Sequence, residues 1–223
     1  MSFNVAIDGP AGAGKSTVAK TVAGEMNFIY VDTGAMYRAM ALYFLREGMD
    51  PSDEAAVSEA CRRVSVTISY EAGVQQVFLN GENVSGLIRT EEVGNMASAT
   101  SGYRLVREKL VELQKELAKK ADVIMDGRDI GTCVLPEADV KIYLTAGSLV
   151  RAKRRYKELT EKGISCNLEE IEKDIIDRDY RDMHRENSPL SQAEDAVLLD
   201  SSDMTLRQVV ETIEAMIREK REA

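Results

Sequence analysis

The chain has 223 residues, a formal net charge of −9 at pH 7, three cysteines, one histidine and no tryptophan. A chain of this length buries roughly 70% of its unfolded surface without disulfides, and an odd cysteine count lacking metal-ligand spacing suits a reducing compartment, so a cytoplasmic location is expected. The acidic balance argues against a surface that tracks a nucleic-acid polymer, the single His184 excludes a metal centre built on imidazoles, and no apolar stretch reaches membrane-spanning length or marks a secretory leader.

The first apolar run, Asn4 to Asp8, predicts a strand. It leads directly into Gly9, Pro10, Ala11, Gly12, Ala13, Gly14, Lys15 and Ser16, a complete G-x-x-x-x-G-K-[ST] pattern that opens the helical run Thr17 to Met26. In such a loop, backbone N–H groups wrap a phosphate at a helix N-terminus, the lysine reaches the terminal phosphates and the hydroxyl meets Mg2+. The pattern therefore predicts nucleoside triphosphate chemistry.

Phe28 to Asp32 reads as the second strand, followed by Thr33, Gly34, Ala35, Met36, Tyr37 and Arg38. Thr33 is a plausible N-cap, which sets Tyr37 and Arg38 one turn into the helix. Arg38 is then a candidate grip for a second phosphate, the alternative being a solvated helix arginine. Between Val64 and Val84 the residues alternate around Glu71-Ala72-Gly73 and Asn80-Gly81, a hairpin signal that predicts a small antiparallel insert.

Val123 to Asp126 is the third strand of the parallel type, and a carboxylate ending it sits where the water shell of Mg2+ is held, so Asp126 is the metal-side candidate beside Ser16. Arg128 and Asp129 extend beyond it, as site residues or as an internal ion pair. After the strand Val140 to Leu144, the helical segment Leu149 to Lys162 puts Arg151, Arg154 and Arg155 on one face, with Gly163 as its stop. Asn167 and Glu170 resemble a capping box, opening a helix expected to run to the Ser188-Pro189 break. Arg178, Asp182 and Arg185 share one stripe of that helix, either as a solvated salt-bridged face or as a phosphate site. Ala196 to Asp200 supplies a last strand, and the polar tail from Arg218 is expected to fray. Valine- and isoleucine-rich strands alternating with helices predict an α/β fold with a parallel sheet covered on both faces. Its ligands sit outside the carboxyl strand ends, where Asp8, Asp32 and Asp126 would face the loop carrying Lys15.

The phosphate loop, Asp32 to Arg38, Ser85 to Glu91, Val106 to Glu108, Asp126 to Thr132 and the Arg178 to Arg185 stripe together resemble the bacterial-type cytidylate kinases, in one register over essentially the whole chain. The resemblance implies a P-loop kinase fold with a five-stranded parallel sheet, in one domain over 1–223, with the β insert at 61–88 and a short helical lid at 147–166. It implies transfer of the γ-phosphoryl group of ATP to CMP or dCMP with Mg2+, by a monomer without membrane or nucleic-acid partners. It further implies that Ser98, Arg107 and Asp129 meet the cytosine base and that Arg38 and Arg128 hold the acceptor phosphate. Asp182, Arg178 and Arg185 would lie about the ribose and its phosphate. Arg154 would come from the lid onto the donor phosphates, and Thr33 and Tyr37 would contact the acceptor. An acid facing the base suits the exocyclic amine of cytosine and repels the oxygen of uracil. A UMP, dTMP or sugar kinase would share Lys15 and Arg38 without needing Asp129. A GTPase switch needs an Asn-Lys-x-Asp segment that the chain lacks.

Overall fold

The computed structural model describes residues 2–222. In chain order the elements are β1 (Asn4–Asp8), α1 (Lys15–Met26), β2 (Ile29–Asp32), α2 (Thr33–Arg46), α3 (Glu54–Arg63), β3 (Val66–Glu71), β4 (Val74–Leu79) and β5 (Glu82–Asn83). They continue with α4 (Glu91–Thr100), α5 (Arg104–Ala118), β6 (Val123–Gly127), a π-type turn (Ile130–Val134), β7 (Val140–Thr145), α6 (Ser148–Glu161), α7 (Leu168–His184), β8 (Val197–Asp200) and α8 (Leu206–Glu222).

The main sheet has five strands in the order β2-β6-β1-β7-β8, and every pairing is parallel. Both faces are covered, which explains the lack of clean polar alternation in these strands. Val5, Ile7, Ile124, Ile142 and Leu144 turn to one face and pack against Val18, Val22, Val209, Val210 and Ile213 of α1 and α8. Ala6, Val31, Val123 and Met125 turn to the other and pack against Met36, Met40 and Phe44 of α2 and Leu110 of α5. The register aligns Asp32 with Asp126 and Asp8 with Gly127, so the acidic strand ends lie side by side at one rim.

The insert forms a three-stranded antiparallel sheet, β3-β4-β5. Both of its turns use left-handed backbone, Ala72 and Gly73 at φ 49° and 76° and Asn80 and Gly81 at φ 49° and 87°. Positive φ at two successive residues matches the twist of a two-residue hairpin.

Two expectations need correction. Helix α7 ends at His184, short of Ser188-Pro189, because Arg185 turns extended at ψ 144° and its Nε donates to Ser188 O at 2.6 Å. The described part of the tail does not fray: α8 runs through Glu222, and Ala223 lies outside the described residues. The Arg221 guanidinium covers the Phe3 and Phe28 rings at 5.0 and 4.5 Å and donates to Asp122 Oδ2 at 2.6 Å, a cation–π and ion-pair anchor. No described helix is long and apolar enough to cross a membrane.

Candidate functional site

The phosphate loop runs from the end of β1 into α1. A Cβ on Gly9, at φ 146°, would lie 2.0 Å from Leu144 O of the neighbouring strand, and Gly14 caps α1 in the left-handed region at φ 89°. Only glycine meets both demands. Lys15 is buried and its Nζ donates to Pro10 O at 2.8 Å, folding the side chain back over the loop. Burial, then the nearby Arg128 charge, push its ammonium well below the ordinary lysine range. Beneath the loop, Arg151 is buried: it pairs with Asp179 at 2.7 Å and donates to Ala11 O at 2.9 Å. Arg155 points outward to Glu158 at 3.0 Å. The three arginines of this helix therefore do not form one phosphate grip; Arg154 is the one left beside the loop, donating to Ser201 O at 2.7 Å and lying 3.5 Å from Ala13 O.

Next to the loop, both oxygens of buried Asp126 are engaged, Oδ2 by the Ser16 hydroxyl and Oδ1 by the Tyr30 hydroxyl, each at 2.8 Å. A hydroxyl and a carboxylate with phosphate oxygens nearby form the hard-oxygen set that Mg2+ takes. Among the described residues no cluster of three or more histidine, cysteine or acidic side chains that could hold a metal is found. Asp8 does not face Lys15 as an open ligand; it accepts the backbone N–H groups of Ile130 and Gly131 at 2.8 and 2.7 Å and ties the turn after β6 to β1. Asp32, not Thr33, caps α2, accepting from Ala35 N at 2.8 Å while pairing with Arg89 at 2.6 Å. Thr33 is the first helical residue, and its hydroxyl donates to Asp126 O at 2.7 Å. A hydroxyl that cannot reach back to its own helix finds the adjacent strand instead.

Across the rim lies a group of guanidiniums. Arg38 is largely buried and makes no hydrogen bond or ion pair among the described residues, and burial followed by its Arg89 and Arg128 neighbours pushes its pKa down against the pull of Asp32. Arg178 has a buried Nε without a partner, and burial and the charges of Arg128 and Arg38 bring its pKa down to about 10. Arg128 is a neighbour of both, its Nε donating to Asp182 Oδ2 at 2.8 Å. The alternative pairing of Arg128 with Asp129 does not form. Three guanidiniums with one hydrogen-bonded carboxylate, Asp182, among them repel one another in a low-dielectric setting, an excess that a bound anion would relieve.

The residues expected at the base gather around Asp129. Asp129 accepts from Arg107 Nη2 and lies 3.4 Å from Arg185 Nη2, with all three side chains nearly buried. Arg107 also covers the Tyr37 ring at 5.7 Å. The Tyr37 and Ser98 hydroxyls are buried without partners, open hydrogen-bonding capacity aimed at a site. A cavity of about 370 Å3 adjoins Ser98, lined also by Gly102, Tyr180, Asp182 and Arg185. Tyr30 carried no signal in the sequence, since its partner Asp126 is distant in the chain, and the pairing of Arg151 with Asp179 was not foreseen from its place in the arginine group.

The family model described as cytidylate kinase matches residues 5–219. A Lactobacillus johnsonii cytidylate kinase is 51% identical over 218 residues, 98% of this chain and 95% of the relative. One from Bacillus cytotoxicus is 47% identical over 217 residues, 97% and 96% of the two chains. Among solved structures, a shikimate kinase from Bacteroides thetaiotaomicron covers 99% of both chains at 14% identity and a TM-score of 0.49.

Proposed function

The chain belongs to the cytidylate kinase family, and we propose that its rim of buried cations carries out γ-phosphoryl transfer from ATP to the phosphate of CMP or dCMP. The enzyme is a nucleoside monophosphate kinase, a phosphotransferase. The observation that carries the assignment of roles is the convergence of Lys15, Arg38, Arg128 and Arg178, with Asp182 the one carboxylate hydrogen-bonded into that group. Phosphoryl transfer asks little covalent help of a protein; it needs positioned cations in a dry site to match charge spread over the moving group.

In this reading the loop from Gly9 to Thr17 cradles the donor phosphates and Lys15 reaches the transferring group. Arg154, from α6, lies against the same loop and adds charge on the donor side. Arg38 and Arg128 hold the acceptor phosphate in line, with Arg178 and Asp182 at the ribose. Ser16 and Asp126 would hold Mg2+, whose contribution when bound is to neutralise charge on the donor phosphates. On the base side, Asp129 held by Arg107 and Arg185 presents an acceptor beside donors, the complement of the cytosine amine and its adjacent ring acceptors. Ser98 and Tyr37 offer the remaining hydroxyls. ADP release measured side by side with CMP, dCMP, UMP and dTMP tests the reading. Preferred turnover of the two cytidylates is expected, and equal rates with UMP would overturn the role given to Asp129.

A further inference from the structure

The small antiparallel sheet meets the main sheet at the strand flanking the metal-side corner. β2 is an edge strand whose one neighbour is β6. Tyr30 and Asp32 are two residues apart, so their backbone groups face the same open side. Unpaired backbone groups beside buried residues are costly, and here side chains of the small sheet meet them. Asp32 N donates to Gln75 Oε1 at 2.9 Å, Gln75 Nε2 donates to Asp32 O at 3.2 Å, and the Tyr70 hydroxyl donates to Tyr30 O at 3.1 Å. A carboxamide holds a donor and an acceptor on one plane, so Gln75 pairs with both backbone groups of one residue as a neighbouring strand would. The line continues inward through the Tyr30 hydroxyl to Asp126, and through Asp126 to Ser16. Alongside, a cavity of about 460 Å3 separates α1 from β4, lined in part by Lys20, Thr21, Gly73 and Val74. On that side, then, few bonds join the small sheet to the rim.

We propose that Gln75, Tyr70 and Tyr30 are positioning residues through which the small sheet completes the open edge of β2, setting the start of α2 and the orientation of the Asp126 carboxylate. The inference rests on the phosphoryl-transfer reading above. Asp32 is both the residue gripped by Gln75 and the cap of α2, so loosening that grip shifts the helix start and, one turn on, Tyr37 and Arg38. Loss of the Tyr30 hydroxyl frees one oxygen of Asp126 to rotate away from the loop. None of the three touches the reacting groups.

Three variants test this, with Arg46→Ala as the control. The exposed Arg46–Glu82 pair, 2.6 Å, also ties the small sheet to α2 but at the opposite end of the helix. Gln75→Ala is expected to raise KM for CMP about fivefold, the size of one net hydrogen bond, with kcat and KM for ATP nearly unchanged. Gln75→Glu keeps an acceptor for Asp32 N–H and should fall between Gln75→Ala and wild type. Tyr30→Phe should weaken Mn2+ binding to the enzyme–ADP complex about fivefold, read by electron paramagnetic resonance rather than by turnover. Arg46→Ala should change neither quantity. If Gln75→Ala and Arg46→Ala both lower Tm alike while KM for CMP stays flat, the contact is structural only and the proposal is overturned; unchanged Mn2+ binding in Tyr30→Phe overturns the relay to Asp126. Wild-type turnover of CMP in the same assay checks the substrate reading, so a flat variant series beside an active wild type defeats this inference alone.

Discussion

The phosphate rim and the base pocket are both lined by buried arginines, yet they are balanced in opposite ways. Around Arg38 and Arg178 positive charge exceeds its partners, while Arg107 and Arg185 close on Asp129 from two sides. The first arrangement is finished only by an incoming anion. In the second, each guanidinium has a carboxylate partner although one positive charge remains in excess, and the group can discriminate by hydrogen-bond pattern. Under the proposed reaction, the unmatched charge lies where the phosphates would land, and the element proposed to read the base keeps its ion pairs in their absence.

The largest effect tests the excess of charge itself. Lys15→Ala should cut turnover by about 10³ or more while the circular dichroism spectrum stays native, because in the proposed reaction the lysine meets charge that develops in the transition state. Next comes the paired pocket. Asp129→Ala leaves Arg107 and Arg185 facing each other in a buried place, and should lower apo-protein stability in urea by about 3–5 kcal/mol. The same change should weaken acceptor recognition by about 2 kcal/mol with ATP affinity nearly unchanged. Arg38→Ala makes the sharpest contrast: kcat/KM for CMP should fall by about 10², yet apo Tm should hold or rise, since a desolvated, unpaired charge is removed. A clear fall in Tm for Arg38→Ala would mean that the rim is internally compensated after all, and the comparison would fail.

The smallest effect concerns Asp8, which ties the turn under the base pocket to β1. Burial pushes its carboxyl up to about 6, against the pull of the Gly131 and Ile130 N–H groups. The folded state therefore holds this proton more tightly than the unfolded chain. That contribution to stability is complete below the ordinary aspartate range and is lost as pH rises through about 6, a change on the order of 2–3 kcal/mol. Carbon-13 NMR of the Asp8 carboxyl should show a midpoint near 6, and the urea midpoint of the wild type should fall relative to that of Asp8→Asn as pH rises from 4 to 7.5.

The legible parts of the site were those encoded in contiguous residues. The phosphate loop needs eight neighbours and a flanking strand and helix, and Asp126 and Arg38 follow from the ends of strands and starts of helices beside it. The insert was visible because its turn residues must take positive φ, which few side chains accept. The base pocket was reached only through family resemblance, because Ser98, Arg107, Asp129 and Arg185 come from separate elements and no local spacing links them. Thr33 was misplaced by one residue because a threonine and an aspartate compete for the same cap. The arginines of α6 shared a face in the sequence, but a helical face spans buried and exposed positions, and packing against α7 and the loop divided them into three roles.

By itself, the order of residues determined the class of fold, the nucleotide loop, the acidic strand ends and the supply of cations, since each rests on short-range backbone rules or hydrophobic periodicity. Tertiary structure alone decided which arginines found carboxylates and which stayed unpaired, that Tyr30 reaches Asp126, and that Gln75 stands in for a missing strand. Those outcomes depend on parallel crossovers that bring together side chains such as Tyr30 and Asp126, 96 residues apart, and no local rule records which neighbours such a crossover will deliver.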